Sequence, residues 1–140
     1  VTHIELVAAV ACALQRALPG ADAQALMAPR PRIGWPAEGG PSLARDAAGL
    51  LLLFPVDARP HLMLTVRSEH VRHSGQVSLP GGVVEAGETF EQAALREANE
   101  EVAFSADDVR VLGRLTPLDI PVSGFRLHPV VAALDRRPVL

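Results

Sequence analysis

Ile4, Val7, Ala8, Ala11, Leu14 and Leu18 recur at the spacing of one helix face, and Pro19-Gly20 stops the pattern. The first segment is therefore expected to be an amphipathic helix whose role is packing. Ala47 to Phe54 is a continuous apolar run between Asp46 and Pro55, the pattern of a strand buried on both faces. His61 to Arg67 is expected to be its neighbour, with Pro55-Val56-Asp57-Ala58-Arg59-Pro60 supplying the turn between them. A polar loop, Ser68 to Ser78, then leads into a tight Pro80-Gly81-Gly82 turn. Thr89 followed by Gln92 forms a capping box that places a helix from about Phe90 to Val102. Asp107-Asp108 marks a turn. Val109 to Leu115 and Phe125 to Leu134 are expected to be two more strands, separated by Pro117 and the Pro121-Val122-Ser123-Gly124 loop. Between Pro29 and Pro41, four prolines and three glycines surround Trp35, which predicts an irregular connection with the main domain beginning after it.

Composition narrows what this chain does. Its 140 residues are one domain's length, of which 49% are hydrophobic and 21% charged, so an ordinary globular core is expected. With no Tyr and one Trp there are few platforms for stacking bases, and a net charge of −3 provides no basic stripe, so nucleic acid is not an expected partner. All 13 basic residues are Arg, which excludes a P-loop lysine and a Schiff-base lysine. A single cysteine, Cys12, permits neither an internal disulfide nor a cysteine-cluster zinc site; a reducing, cytoplasmic setting fits, and Cys12 is read as a small buried hydrophobe. The apolar stretch Leu6 to Leu14 is too short to span a bilayer and lacks the basic residues of a signal peptide, so no membrane role is expected. Val1 stands where Met is usual, the mark of an unusual start or a missing beginning.

Chemistry concentrates on the predicted helix after Thr89. Glu97, Glu100 and Glu101 lie within about a 100° arc, beside an apolar arc of Ala94, Leu95, Ala98 and Val102. Like charges at these spacings cost a helix about 0.2–0.5 kcal/mol per pair. A divalent cation would remove that cost, and hard oxygen donors suit Mg²⁺ or Mn²⁺, which in turn suit substrate phosphates. Taken alone, the cluster is better read as the solvated acidic face of a surface helix.

The surrounding residues add a second kind of information. The run Gly82-x5-Glu88-x7-Arg96-Glu97-Ala98-x-Glu100-Glu101-x-Ala103-Phe104 resembles the Nudix box, departing from it only at Ala103, where the family has Gly. That position lies just past the helix, where a left-handed residue is usual, and Ala there is expected to cost about 1 kcal/mol, or else the helix ends differently. The resemblance implies a Nudix fold, a mixed β-sheet sandwiched between helices in an α/β/α arrangement. It also implies metal-dependent hydrolysis of a phosphoanhydride by attack of water on one phosphorus of a diphosphate. It assigns Glu97 and Glu101 as principal metal ligands, Glu100 as an additional ligand, Gly81 as the source of a backbone carbonyl, and Glu97 or Glu100 as the base. Gly82 would permit close approach of backbone to metal or phosphate, and Arg96 and Glu88 would form an ion pair that orients the helix. Without the motif, that pair is an ordinary surface salt bridge.

Upstream, Leu62-Met63-Leu64-Thr65-Val66-Arg67-Ser68-x3-Arg72-x2-Gly75-Gln76-x2-Leu79-Pro80-Gly81-Gly82 is similar to the signature of the coenzyme A diphosphatase branch. Leu79 stands where that signature has Phe, and the gap from Arg72 to Gly75 is one residue short. The likeness implies cleavage of coenzyme A or its thioesters to 3′,5′-adenosine diphosphate and 4′-phosphopantetheine or its acyl form. Arg67 and Arg72 are suited to bidentate contact with phosphate oxygens, or else to pairing with Glu69 or Glu85. His70 and His73 are read as surface residues. The rival readings are a Nudix hydrolase of another nucleoside diphosphate derivative such as ADP-ribose, and a non-catalytic Nudix-fold binding module. Residues 1–45 are expected to be a helix and connection, and 46–140 the hydrolase domain. Only Asp135 to Leu140 follow the last expected strand, whereas family members continue further, so a truncated C-terminus and an open sheet edge are expected, together with a homodimer as a compatible assembly.

Overall fold

The computed structural model describes residues 1–28, 45–66, 75–120 and 123–139. The expected irregular connection around Trp35, Arg67, His70, Arg72 and His73, and the start of the loop at Pro121, lie outside the described residues.

The first helix, α1 (His3–Leu14), opens with a capping box in which Thr2 accepts from the Glu5 amide and Glu5 accepts from the Thr2 amide. It is shorter than expected, and of the expected face Val7, Ala11 and Leu14 are turned inward. Ile4 and Ala8 face solvent, while His3 and Val7 are buried and Leu6 and Val10 pack beside them. His3 is held there by a 2.8 Å bond from its Nε2 to the Leu134 carbonyl. Cys12 is exposed, not buried as expected. A second short helix, α2 (Gly20–Met27), occupies a segment for which the apolar pattern gave no element.

β1 (Arg45–Val56) is the buried strand expected from its leucine run. It turns at Asp57-Ala58 into β2 (Arg59–Leu62), antiparallel, with Val56 opposite Arg59. Both turn residues have positive φ, 49° and 62°, the geometry whose twist matches that of the strands. The expected strand from His61 to Arg67 is broken: β3 (Thr65–Val66) pairs instead with β4 (Val77–Ser78) in a separate small sheet. β5 (Gly81–Val83) corrects a second expectation, because the glycines lie on a strand antiparallel to β1 and not in a tight turn. α3 (Phe90–Val102) follows with the bounds its capping box predicts, Gln92 donating from its amide to Thr89 and accepting from the Thr89 amide.

β6 (Arg110–Arg114), β7 (Leu118–Ile120) and β8 (Phe125–Ala133) complete the sheet. β7, unpredicted, forms a hairpin with β8. β8 lies parallel to β1 from Arg45↔Phe125 to Leu53↔Ala133, and antiparallel to β6 and β7, so the main sheet is mixed. Alternation along β1 divides the core. Ala48, Leu50 and Leu52 pack with Ala93, Ala94, Ala98 and Phe104 from the α3 side, whereas Leu51 and Leu53 pack with Leu6, Val7 and Val10 from the α1 side. The result is the α/β/α sandwich expected, with α3 pressed against β1 and β5. No helix among the described residues is long and apolar enough to cross a membrane.

Candidate active site at the edge of the glycine strand

β5 is paired with β1 along one side only, through bonds such as Leu50 N–H to the Pro80 carbonyl and Val84 N–H to the Asp46 carbonyl. Its outer edge would leave backbone groups unpaired. α3 supplies their partners: the Gly81 amide donates to Glu101 Oε2 at 3.2 Å, and Arg96 donates to the Val83 carbonyl at 3.1 Å. The charged face of α3 is thereby fastened to the strand edge, and this is why the helix carboxylates and the glycines meet.

Gly82 is the closest point of approach. A Cβ on Gly82 would fall on the Glu97 carboxylate, and one on Gly81 would run into the Ala48 carbonyl. Gly81, against backbone, accepts no side chain, whereas a side chain at Gly82 would displace the Glu97 carboxylate.

Arg96 is the hub of the cluster. Its guanidinium donates to both oxygens of Glu88, at 2.7 and 3.0 Å, to Glu97 at 2.9 Å, and at 3.5 Å to Glu100. Glu88 also accepts from the Glu85 amide at 3.0 Å. The Arg96 hydrogen bonds, reinforced by that amide, hold the Glu88 carboxyl at about 2, far below its ordinary 4.5. Reciprocally, Glu88 first and Glu97 second raise Arg96 beyond its already high value. The bidentate, part-buried geometry distinguishes this pair from a loose surface bridge.

The structure thus brings together six of the residues singled out in sequence: Gly81, Gly82, Glu88, Arg96, Glu97 and Glu101. Glu100 stands at their margin with 59% of its side chain exposed. No three His, Cys, Asp or Glu side chains among the described residues are gathered into a ready metal cage in this conformation. The donor set nonetheless fits a hard divalent cation: it consists of carboxylate oxygens beside a glycine backbone that leaves room for them. Two of those carboxylates are engaged, Glu97 by Arg96 and Glu101 by the Gly81 amide, so holding a cation requires side-chain rotation.

A family model for the NUDIX domain matches residues 43–134. The chain belongs to the Nudix family. The Nudix hydrolase NudL of Citrobacter koseri is 45% identical over 101 residues, which cover 71% of this chain and 52% of that protein. This Nudix chain therefore spans about half the length of that relative. Among solved structures, the Nudix hydrolase RenU of M. smegmatis superposes with a TM-score of 0.58 at 26% identity, covering 68% of this chain and 64% of that one. The C. elegans Ap4A hydrolase gives a TM-score of 0.56 at 22% identity, covering 66% and 70%, a likeness of fold.

Ala103 adopts the left-handed conformation expected at that place in the motif, φ 51° and ψ 31°, at the end of α3. Two further features of this Nudix site are not visible in the motif. His128 on β8 stacks on Phe90 with ring centroids 3.7 Å apart and bonds Asp46 at 2.8 Å, anchoring the start of α3 to the sheet. Finally, a cavity of about 610 Å³ opens beside β5, lined in part by Gly49, Leu79, Gly81, Gly82, Phe125 and Leu127. Gly81 and Gly82 border this cavity and also face Glu101 and Glu97. The parallel register of β1 and β8 that builds the last two features joins residues about 80 positions apart, and no local pattern reveals it.

Proposed function

We propose that this chain is a metal-dependent diphosphatase whose substrate is coenzyme A or an acyl-coenzyme A. The products are 3′,5′-adenosine diphosphate and 4′-phosphopantetheine or its acyl form. The observation that carries the hydrolase reading is the cluster of Glu97, Glu100 and Glu101 fastened through Arg96 to the edge of a glycine strand. The choice of coenzyme A rests on the likeness of the segment from Leu62 to Gly82 to the coenzyme A diphosphatase branch, with Arg67 and Arg72 as phosphate contacts. We assign residues 46–140 to the hydrolase domain and the protein to the cytoplasm.

Glu97, Glu101 and Glu100, with the Gly81 carbonyl, would hold Mg²⁺ or Mn²⁺. Held by those residues, a divalent cation would supply charge neutralisation at the diphosphate oxygens and a lowered pKa for the attacking water. Glu100 takes the proton from that water: its carboxylate is far more exposed than that of Glu97, 59% against 21%, and only a long 3.5 Å contact ties it to Arg96. Arg96 and Glu88 act as positioning residues, fixing the register of α3 against β5. Gly82 keeps the approach to Glu97 open.

The test is a substrate panel of coenzyme A, ADP-ribose and dinucleoside polyphosphates with Mg²⁺ and Mn²⁺, resolved by chromatography of products. Release of 3′,5′-adenosine diphosphate from coenzyme A is expected. AMP from ADP-ribose with no turnover of coenzyme A would overturn the substrate, and binding without turnover of any diphosphate would overturn the enzyme.

A further inference from the structure

The cavity beside β5 differs in chemistry from the carboxylate cluster it adjoins. Gly49, Leu79, Ile120, Phe125 and Leu127 make much of its wall apolar, Gln76, Ser78 and Ser123 add uncharged polar groups, and none of its described lining residues carries a charge. A phosphate buried there would lose its hydration without gaining a cationic partner among the described lining residues. An uncharged chain would keep its few hydrogen bonds at the polar groups and bury its apolar part. At about 610 Å³ the space is of the size that holds small molecules, about 300–1,000 Å³.

Gly49 sits in the floor of this cavity. It lies in the middle of the longest strand, where a glycine weakens a sheet unless something must approach the backbone closely. Its neighbours on the same face, Ala47, Leu51 and Leu53, all carry side chains. A Cβ at Gly49 would stand 3.2 Å from Leu127 Cδ1 and 3.7 Å from Leu79 Cβ, so a single methyl already crowds the space between those walls.

We propose that this cavity receives the pantetheine end of the substrate, and that Gly49 and Leu127 together set how large an acyl group on its thiol is accepted. The proposal rests on the coenzyme A reading above. The diphosphate lies at the carboxylate cluster, the charged adenosine half extends away from the cavity, and the uncharged arm passes the glycine edge of β5 into it.

The experiment measures KM for coenzyme A, acetyl-coenzyme A and octanoyl-coenzyme A, and the inhibition constant of 3′,5′-adenosine diphosphate, in the wild type, Gly49→Val and Leu127→Ala. Gly49→Val is expected to raise the ratio of KM for octanoyl-coenzyme A to that for coenzyme A roughly tenfold, the scale of a change of a methylene or two in an apolar pocket. Leu127→Ala, at a half-buried position, is expected to lower the same ratio. Inhibition by 3′,5′-adenosine diphosphate should stay within about twofold in both. An unchanged ratio in Leu127→Ala, or inhibition that shifts in step with KM, overturns the cavity assignment while leaving the coenzyme A reading intact. A wild type that releases no 3′,5′-adenosine diphosphate from coenzyme A removes that reading, and the assignment with it.

Discussion

Ala103→Gly should stabilise this protein, and the size of the effect follows from how the end of α3 is built. The chain must reverse immediately after Val102 so that Phe104, 1% exposed, enters the core beside Leu50 and Ala98. Ala103 does this with φ 51° and ψ 31°, its amide bonded to the Asn99 carbonyl at 2.8 Å, while the Asn99 side chain donates to the Phe104 carbonyl at 2.5 Å. Those bonds and the buried ring leave the residue no route back to a right-handed conformation. An L-residue held there forfeits about 1–2 kcal/mol. Glycine recovers this but surrenders about 0.4–1 kcal/mol through the greater freedom of its unfolded chain. The net gain therefore lies between about 0 and 1.6 kcal/mol, centred on about 0.8 kcal/mol, or about 2–4 °C in Tm for a chain of this length.

Urea unfolding of the wild type, Ala103→Gly, Ala103→Asn and Ala103→Val, followed by circular dichroism, checks the argument. The midpoints should fall in the order Gly, Asn, Ala, Val, with unchanged slopes, because Asn tolerates the left-handed region and a β-branched residue does not. A midpoint for Ala103→Gly at or below that of the wild type would show that α3 ends by another geometry. Glu97, Glu100 and Glu101 all precede the reversal, so turnover should move by less than about twofold.

The remaining predictions concern the site. Glu97→Gln and Glu101→Gln should each reduce diphosphate hydrolysis by at least about a hundredfold at unchanged far-ultraviolet circular dichroism; unaltered turnover in both would remove the metal-site assignment. Gly82→Ala places a methyl on the Glu97 carboxylate, and a displacement of about 1 Å there should cost on the order of a hundredfold in kcat. Arg96→Lys retains the charge but cannot bridge Glu88, Glu97 and the Val83 carbonyl simultaneously, so kcat should fall severalfold or more, against an unchanged value if charge alone mattered. Acid unfolding with a chelator present provides the pH test. The Glu88 carboxyl sits at about 2 when folded, against an ordinary 4.5, so its contribution is complete above about 4.5 and is lost as pH falls towards 2. The stability difference between the wild type and Glu88→Gln should accordingly shrink over that interval, and a constant difference would deny the depressed value.

What the sequence revealed and what it hid divide by the range of the interactions. α3 is specified locally, by Thr89 and Gln92 at one end and the reversal at Ala103 at the other, and its bounds were legible. β1 and β8 are runs of apolar residues long enough to name without a partner. Harder to see were the elements whose state depends on what lies beside them. Gly81-Gly82 has the composition of a turn and becomes a strand because β1 offers an edge and no side chain obstructs the pairing. The N-terminal end of the α1 face departs from the apolar pattern, because His3, a polar residue, takes a buried position bonded to the distant Leu134 carbonyl while Ile4 lies outward.

The same distinction alters the argument for a cation. Read along the helix, Glu97, Glu100 and Glu101 are three like charges with nothing to balance them, and the cost of that repulsion pointed to a metal. In the fold, Arg96 reaches Glu97 and Glu100, and the Gly81 amide meets Glu101, so much of the imbalance is already relieved. Repulsion alone no longer requires a cation. The stronger argument is geometric: the missing side chain at Gly82 leaves the space that the Glu97 carboxylate fills, and the neighbouring Gly81 amide draws Glu101 to the same strand edge. On this view Arg96 keeps Glu97 in place until a cation competes for it, so metal affinity should rise in Arg96→Gln even as turnover falls. A metal titration by calorimetry showing weaker binding in that variant would refute the competition.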